Sequence, residues 1–125
     1  MSAHILVVDD DEKSQRLVAD VLTHHGHVVA RAGSGEAALV LARAAPFDLA
    51  LLDIQLPGID GVATFKALRA LPGWARVPVI ALTASVMPDD RNSLMREGFD
   101  AFIPKPLAIK ELVQRVTDAL AVPGE

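Results

Sequence analysis

Asp48-Leu49-Ala50-Leu51-Leu52-Asp53 is an apolar run that ends on a carboxylate, and a turn follows it at Leu56-Pro57-Gly58. A run of this kind is typical of a strand that is covered on both faces of a sheet. Three further apolar runs end on polar residues in the same way, at Asp9-Asp10, Thr83 and Lys105. If these runs are parallel strands, their polar ends lie together at one edge of one sheet.

Short apolar runs alternate with helical patterns along the chain, which indicates repeated βα units and a parallel sheet. We expect strands near residues 4–9, 27–32, 48–53, 77–83 and 100–104. We expect helices near residues 12–25, 35–45, 60–71, 88–97 and 107–121. The second run is polar at its ends and the last contains Pro104, so both suit sheet edges. The predicted fold is α/β, a flavodoxin-like, doubly wound (βα)5 parallel sheet with strand order 2-1-3-4-5 and a core over residues 4–121.

The expected helices carry apolar stripes that we assign to the core. The stripes are Leu17, Val18, Val21 and Leu22 in the first helix, and Ile109, Leu112, Val113, Val116 and Leu120 in the last. In the fourth helix only Leu94 and Met95 are expected to face the core. Few apolar contacts mean low local stability, so this helix should be the easiest element to shift.

The composition limits the possible functions. The chain has 125 residues, 51% of them apolar, which fits a single domain over residues 1–125. A formal net charge of -4 argues against a nucleic-acid surface. The absence of cysteine excludes a thiolate metal site and a thiol nucleophile. No apolar stretch reaches the roughly 18 residues of a membrane span. Since Met1-Ser2-Ala3-His4 does not begin a signal peptide, we expect a cytoplasmic protein.

The expected cluster of Asp9, Asp10 and Asp53 indicates a metal site. Three neighbouring carboxylates repel one another and need a cation, and an all-oxygen ligand set selects a hard ion such as Mg²⁺. A phosphoryl group there would face the metal and the Lys105 ammonium, and Thr83 could donate one hydrogen bond to it. A carboxylate can also be a nucleophile that holds the phosphoryl group as an acyl phosphate. Asp53, last on a central strand, is the best placed for that role.

The sequence resembles the receiver domains of two-component response regulators, the CheY-like phosphoacceptor modules, from Ile5 to Leu120. The motifs that carry this resemblance are Leu6-Val7-Val8-Asp9-Asp10, Leu51-Leu52-Asp53-Ile54-Gln55-Leu56-Pro57-Gly58-Ile59-Asp60-Gly61, Ile80-Ala81-Leu82-Thr83-Ala84 and Ile103-Pro104-Lys105-Pro106. Each motif is weak alone, and the four together are specific.

The resemblance implies how the site would be loaded. Asp53 would accept a phosphoryl group from a phosphohistidine on a sensor histidine kinase or a histidine phosphotransfer protein. Asp10, Asp53 and the backbone carbonyl of Gln55 would bind Mg²⁺ directly, and Asp9 would act on the metal through water.

The resemblance also implies a switch. Lys105, the Thr83 hydroxyl and the Ala84 backbone N–H would contact the phosphoryl group, and the Lys105-Pro106 peptide would be cis. On phosphorylation Thr83 would swing inward, and Phe102 would follow into the vacated space. The surface of the fourth helix, fifth strand and fifth helix would then change shape for a downstream protein, with no nucleic acid or membrane involved.

The chain departs from the family pattern in places. Phe102 stands where many members have tyrosine, so no hydroxyl can hydrogen bond in the inward state. Asp11 adds a third acid, which we interpret as a helix cap and not as a metal ligand. Gln55 and Ser85 occupy variable positions that tune dephosphorylation in this family, so the lifetime of the acyl phosphate stays open.

Two other functions suit this fold. A Mg²⁺-dependent phosphatase or phosphotransferase for small molecules usually pairs its aspartate nucleophile with a second acid two residues on. This chain has Gln55 there, so we expect a stoichiometric phosphoacceptor and not an enzyme. A flavodoxin-like cofactor binder would have to hold an anionic flavin phosphate beside acidic strand ends.

Several other residues are expected to be structural. Ser34 and Asp60 should cap helices. Gly33-Ser34-Gly35 is interpreted as a turn and not as a phosphate-binding loop, because it lacks the lysine of such a loop. Met87 and Met95 are assigned to packing, and His24, His25 and His27 to exposed or capping positions. A histidine metal site and plain core packing of Phe102 are kept as alternatives.

Overall fold

The computed structural model describes residues 2–56, 58–84 and 87–121. Ser85, one of the variable positions, lies outside the described residues, as do Pro57 and the chain beyond Ala121. Five strands are described: β1 (His4–Val8), β2 (Val28–Ala32), β3 (Leu49–Asp53), β4 (Val79–Thr83) and β5 (Ala101–Pro104). Five helices are described: α1 (Glu12–His24), α2 (Gly35–Ala44), α3 (Gly61–Arg69), α4 (Pro88–Glu97) and α5 (Ile109–Ala121). The predicted order and type of the elements are confirmed.

The strands form one parallel sheet in the order β2-β1-β3-β4-β5, as predicted. Every residue of β3 and β4 is buried, which explains why these runs are continuously apolar. The edge positions of β2 and of β5, which contains Pro104, are confirmed as well. Within the described ranges, none of the helices combines the length and the apolar character needed to cross a bilayer.

Alternate residues along the strands enter two cores, one on each face of the sheet. On one face, Leu6 and Leu52 pack in a cluster that also contains Phe65 of α3 and Leu94 of α4. On the other face lies a cluster built from β1, β3, β4, β5, α1 and α5, which contains Ile5, Leu51, Ile80, Ile103, Val18 and Leu112. The sheet is therefore covered on both sides, and functional groups are left to its ends.

Four residues that the sequence predicts to be packing residues are exposed. Leu17 and Ile109 are 39% and 53% exposed, and Met87 and Met95 are 62% and 47% exposed. In α1 the predicted core residues Val18 and Leu22 are buried, together with Ala19, which was not predicted. The apolar stripe of α1 is therefore wider than the surface that contacts the core. In α4 only Leu94 is buried. The prediction that α4 contributes few apolar contacts is confirmed.

The predicted helix caps are present. Asp11 accepts a hydrogen bond from the Lys13 N–H at 3.1 Å, and Ser34 accepts one from the Ala37 N–H at 3.1 Å. Asp60 accepts one from the Ala63 N–H at 2.8 Å. These side chains satisfy N–H groups that have no partner inside their helices.

The histidines near the end of α1 have structural roles. One ring nitrogen of His25 lies 3.0 Å from the Val21 carbonyl oxygen, and His27 Nδ1 accepts a hydrogen bond from the Ala3 N–H at 3.1 Å. Burial, helped by the positive N-terminus and by His25, lowers the pKa of His27. In the described part of the chain these histidines do not gather into a metal-binding group.

Trp74 marks the amino end of the sheet. It lies between α3 and β4, is 2% exposed, and its ring centroid is 6.0 Å from that of Phe47. Arg69 Nη1 donates a hydrogen bond of 2.8 Å to the Trp74 carbonyl. The segment before β4 is therefore fixed by packing and by a side chain of α3.

Candidate functional site

Strand register brings the predicted site residues together at the carboxyl edge of the sheet. Asp53, the last residue of β3, is paired with Leu82, the residue before Thr83. Thr83, the last residue of β4, is paired with Pro104, the residue before Lys105. Asp53, Thr83 and Lys105 thus lie at the same edge of the sheet, at the carboxyl ends of neighbouring parallel strands.

Asp53 is held at its carboxylate and at its backbone. The residue is 4% exposed. Its Oδ1 accepts a hydrogen bond from the Gln55 N–H at 2.9 Å, and its Oδ2 lies 2.8 Å from Lys105 Nζ. Gly61 N–H donates to the Ile54 carbonyl at 3.0 Å. A Cβ on Gly61 would collide with the Asp53 carbonyl and with Ile54 Cα. The start of α3 therefore lies directly against the strand end.

Asp9 is fully buried beside the same ammonium group. Its Oδ1 accepts a hydrogen bond from the Asp11 N–H at 2.9 Å. Its Oδ2 lies 3.1 Å from Lys105 Nζ, but it has no aligned hydrogen bond from any of the residues described. That contact is an ion pair. Burial raises the pKa of Asp9, although the Asp11 N–H and Lys105 act against the rise.

Lys105 is fixed from two sides. Its N–H donates a hydrogen bond of 2.8 Å to the Thr83 carbonyl, which ties the segment after β5 to the end of β4. Partial burial acts to lower the pKa of Lys105, but the contacts of its ammonium with the Asp53 and Asp9 carboxylates outweigh burial and raise it. The Lys105 ammonium is therefore positively charged at neutral pH and is the ion-pair partner of two buried carboxylates.

The carboxylates of Asp9, Asp10 and Asp53 fit a hard divalent cation. Each offers one oxygen, and these oxygens all lie within 4.8 Å of one another. Asp9 and Asp53 are buried whereas Asp10 is exposed, so the cluster opens to solvent on the Asp10 side. One ammonium cannot balance three carboxylates, and oxygen ligands without histidine or cysteine suit Mg²⁺.

The remaining predicted residues lie in β5 or in the segments that follow β4 and β5. Ala84 is exposed and follows Thr83 directly. Phe102 lies in β5 and is partly buried, with the Arg91 Cζ 4.9 Å from its ring centroid. The Lys105-Pro106 peptide is cis, as the resemblance implies. Phe102 also packs against the core on the face of the sheet that carries α3 and α4, so plain core packing stays an alternative to a switch role for its ring.

Two side chains near the site have no counterpart in the sequence analysis. Gln15 Nε2 donates hydrogen bonds to the carbonyls of Asp9 and Ala32, at 3.0 and 3.2 Å. Arg91 stacks on Phe102. Neither residue belongs to a motif. The only signal for Gln15 is its place in the first turn of α1, whose side chains lean toward the helix start.

The family model of the response regulator receiver domain matches residues 5–117. The chain belongs to this family. Receiver domains act in two-component signalling, and the acidic pocket around Asp53 fits phosphorylation of an aspartate.

Similar proteins support the same assignment. The polar-differentiation response regulator DivK of Brucella ovis is 33% identical over 120 residues, which cover 96% of this receiver domain and 98% of DivK. The chemotaxis response regulator CheY4 of Vibrio cholerae has a TM-score of 0.91 at 27% identity, covering 96% of this chain and 100% of CheY4.

A third relative bears on the acidic cluster. The receiver domain of the sensor histidine kinase PA1611 from Pseudomonas aeruginosa has a TM-score of 0.88 at 29% identity, covering 98% of this chain and 100% of that domain. In that structure a magnesium ion is coordinated in the active-site cleft. The family thus includes a domain of the same fold that binds the ion favoured by this donor set.

Proposed function

We propose that this receiver domain takes a phosphoryl group from a phosphohistidine of a partner protein onto Asp53, with Mg²⁺ bound beside it. One observation carries the proposal. The nearly buried Asp53 carboxylate lies 2.8 Å from Lys105 Nζ, in a cluster with oxygens of Asp9 and Asp10. A nucleophile, a fixed cation and a set of metal ligands are the parts that aspartyl phosphorylation needs.

Asp10, Asp53 and the Gln55 carbonyl would hold the Mg²⁺ ion, and Asp9 would act on it through water. The ion, when bound, supplies positive charge that offsets the charge of the phosphoryl oxygens. The PA1611 domain, which coordinates magnesium in its cleft, supports this choice of ion.

The chemistry of transfer falls to Asp53. One carboxylate oxygen forms a bond to phosphorus as the bond from phosphorus to the partner's imidazole nitrogen breaks, and that nitrogen keeps the electron pair. Lys105, held in place by its backbone hydrogen bond to Thr83, faces the phosphoryl oxygens. The Thr83 hydroxyl and the Ala84 N–H donate to the same oxygens. Since Gln55 stands where a phosphatase has its second acid, the domain acts as a stoichiometric acceptor and not as an enzyme.

Phosphorylation would alter a surface formed by α4, β5 and α5. Thr83 would move toward the phosphoryl group, and Phe102 would follow it inward. Only Leu94 of α4 is buried, so this helix can shift at low cost. The changed surface would bind a downstream protein, and the donor would be a sensor histidine kinase or a phosphotransfer protein in the cytoplasm.

Intact-mass measurement after incubation with acetyl phosphate and MgCl2 tests the proposal. We expect one added phosphoryl group on the wild type and none on Asp53→Asn or in excess EDTA. Asp118→Asn is the matched control, because Asp118 accepts a hydrogen bond on the exposed side of α5 and should label normally. Unchanged wild-type mass, under conditions that label a known receiver domain, would refute the proposal. Turnover of small phosphomonoesters would favour the enzyme alternative instead.

A further inference from the structure

Gln15 connects three segments beside the acidic cluster. Its Nε2 donates to the Asp9 carbonyl at 3.0 Å and to the Ala32 carbonyl at 3.2 Å. Its Oε1 accepts a hydrogen bond from Arg31 Nε at 2.6 Å. The Asp9 N–H also donates to the Ala32 carbonyl, at 3.1 Å. One side chain of α1 thus links the end of β1 to the end of β2.

The partners of Gln15 fix the orientation of its amide. Both neighbouring carbonyls can only accept, so the nitrogen with its two hydrogens must face them. The Arg31 guanidinium can only donate, so the amide oxygen must face Arg31. A flipped amide would set oxygen against two carbonyls and nitrogen against a cation. Arg31 therefore acts on the acidic cluster indirectly, by holding Gln15 in its donating orientation.

The start of α1 places Gln15 at this position. Asp11 caps the helix, and its carbonyl accepts the Gln15 N–H at 3.0 Å. Side chains in a helix lean toward the amino terminus, so the Gln15 amide reaches back past the cap to residue 9. The Gln15 side chain of α1 thus contacts the backbone of the acidic residues that precede this helix.

The Asp9 carbonyl belongs to the peptide group that joins Asp9 to Asp10. A peptide group is planar, so fixing its carbonyl oxygen also fixes where Asp10 Cα lies. Asp10 is exposed, and among the described residues its carboxylate has no hydrogen bond or ion pair of its own. The backbone is then the main constraint on the direction of Asp10.

We infer that Gln15 is a positioning residue that holds the Asp9–Asp10 peptide in the orientation in which Asp10 can bind a divalent cation. Arg31 supports it by orienting the amide. The inference rests on the proposed function, because it assumes that Asp10 binds Mg²⁺. It adds a residue from outside the acidic motifs and explains why α1 carries an amide at this place.

Titration calorimetry with MgCl2, without a phosphoryl donor, tests the inference. In Gln15→Met the side chain keeps its length and stays neutral but loses both donors. We expect the Kd for Mg²⁺ to rise about tenfold, the lower end of the effect of residues that orient metal ligands. Arg31→Met leaves Gln15 present but free to turn, and a smaller rise in Kd is expected. Gln114→Met is the matched control, since Gln114 bonds only to Asp118 on α5 among the described residues.

Two further measurements separate positioning from a general loss of stability. The amide NMR signals of Asp10 and Asp11 should shift in metal-free Gln15→Met, while those of β4 and β5 stay in place. At saturating Mg²⁺, labelling by acetyl phosphate should return to the wild-type rate, because Asp53 and Lys105 are untouched. A weaker Kd that saturating metal does not compensate would overturn the inference.

The outcomes distinguish this inference from the function on which it rests. If the wild type takes up Mg²⁺ and Gln15→Met and Arg31→Met bind it with unchanged Kd, the inference fails and the proposed function stands. If the wild type takes up no Mg²⁺, both fail. Should Gln15→Met not fold, Arg31→Met and the control provide the same comparison, since Arg31 is an exposed residue of the edge strand.

Discussion

Lys105 Nζ lies 2.8 Å from Asp53 Oδ2 and 3.1 Å from Asp9 Oδ2, so one ammonium is shared by two buried carboxylates. Asp53 is the last residue of β3, Asp9 directly follows the neighbouring strand β1, and Lys105 follows the edge strand β5. Among the described residues, this ammonium is the positive charge that lies within ion-pair distance of both carboxylates.

Lys105→Met should destabilise the metal-free domain at neutral pH. It leaves two buried carboxylates without their cation, and removing one partner of a buried pair costs about 3–5 kcal/mol. Because the Lys105 side chain is 23% exposed, we expect a smaller loss of about 2 kcal/mol in the free energy of unfolding. Urea denaturation of the wild type and of Lys105→Met at pH 7.5 and pH 5 measures this loss.

The destabilisation caused by Lys105→Met should be smaller at pH 5 than at pH 7.5. The pKa of Asp9 is already raised by burial, and loss of Lys105 raises it further, so Asp9 is protonated more readily and the repulsion disappears. Lys66→Met is the control, because Lys66 pairs with Glu97 at 3.3 Å on the surface with 67% of its side chain exposed. Equal losses at both pH values would contradict the argument.

Mg²⁺ should stabilise the fold through the acidic cluster. A ligand that binds only the folded state at one hundred times its Kd adds about 2.7 kcal/mol to the free energy of unfolding. We expect MgCl2 to raise the Tm of the wild type, and NaCl of equal ionic strength not to do so. Asp10→Asn should lose this response without losing stability in the absence of metal, since it removes one of three repelling charges. A full response in Asp10→Asn would exclude Asp10 as a ligand.

Gly61→Ala should destabilise the domain. The new Cβ would collide with backbone atoms of Asp53 and Ile54, which cannot move as a flexible side chain can. Overpacking of this kind costs about 1–3 kcal/mol. Gly33→Ala is the matched control, because a Cβ there meets nothing within 4 Å and its φ lies outside the left-handed range. That change should be neutral or slightly stabilising, and equal effects of the two substitutions would contradict the close approach at Gly61.

His27 should make the fold sensitive to mild acid. Its Nδ1 accepts the Ala3 N–H, and its pKa is lowered from the ordinary value of 6.5, first by burial. The unfolded chain then binds a proton more readily than the folded chain. The free energy of unfolding should therefore decrease as the pH falls through about 6.5 toward the folded-state pKa.

Denaturation curves between pH 7.5 and pH 5 test the role of His27. The dependence should be weaker in His27→Gln, whereas His24→Gln is the control at an exposed position of α1. A wild-type stability that stays constant over this range, or an identical slope in His27→Gln, would show that the Ala3 hydrogen bond does not resist protonation.

The strands and the clustering of the site followed from the sequence because they depend on local patterns. Apolar runs of the right length, each ending on a polar residue, predict both the sheet and the edge at which Asp53, Thr83 and Lys105 meet. The exposure of Met95 and Leu17 did not follow, since apolar periodicity shows which face a residue occupies but not how far the neighbouring core extends. Gln15 was also missed, because it donates to backbone carbonyls. Every residue type has such a carbonyl, so the sequence does not show which ones will accept a hydrogen bond.

Trp74 is the only tryptophan, and the chain has no tyrosine. Its burial against Phe47 at the amino end of the sheet places the indole far from Asp53, with the length of the strands between them. Its fluorescence emission should therefore change when the core is exposed to water. It should stay constant when ions or phosphoryl groups bind at the carboxyl end of the sheet. Fluorescence can then follow the unfolding of every variant in the presence of metal without a correction for binding.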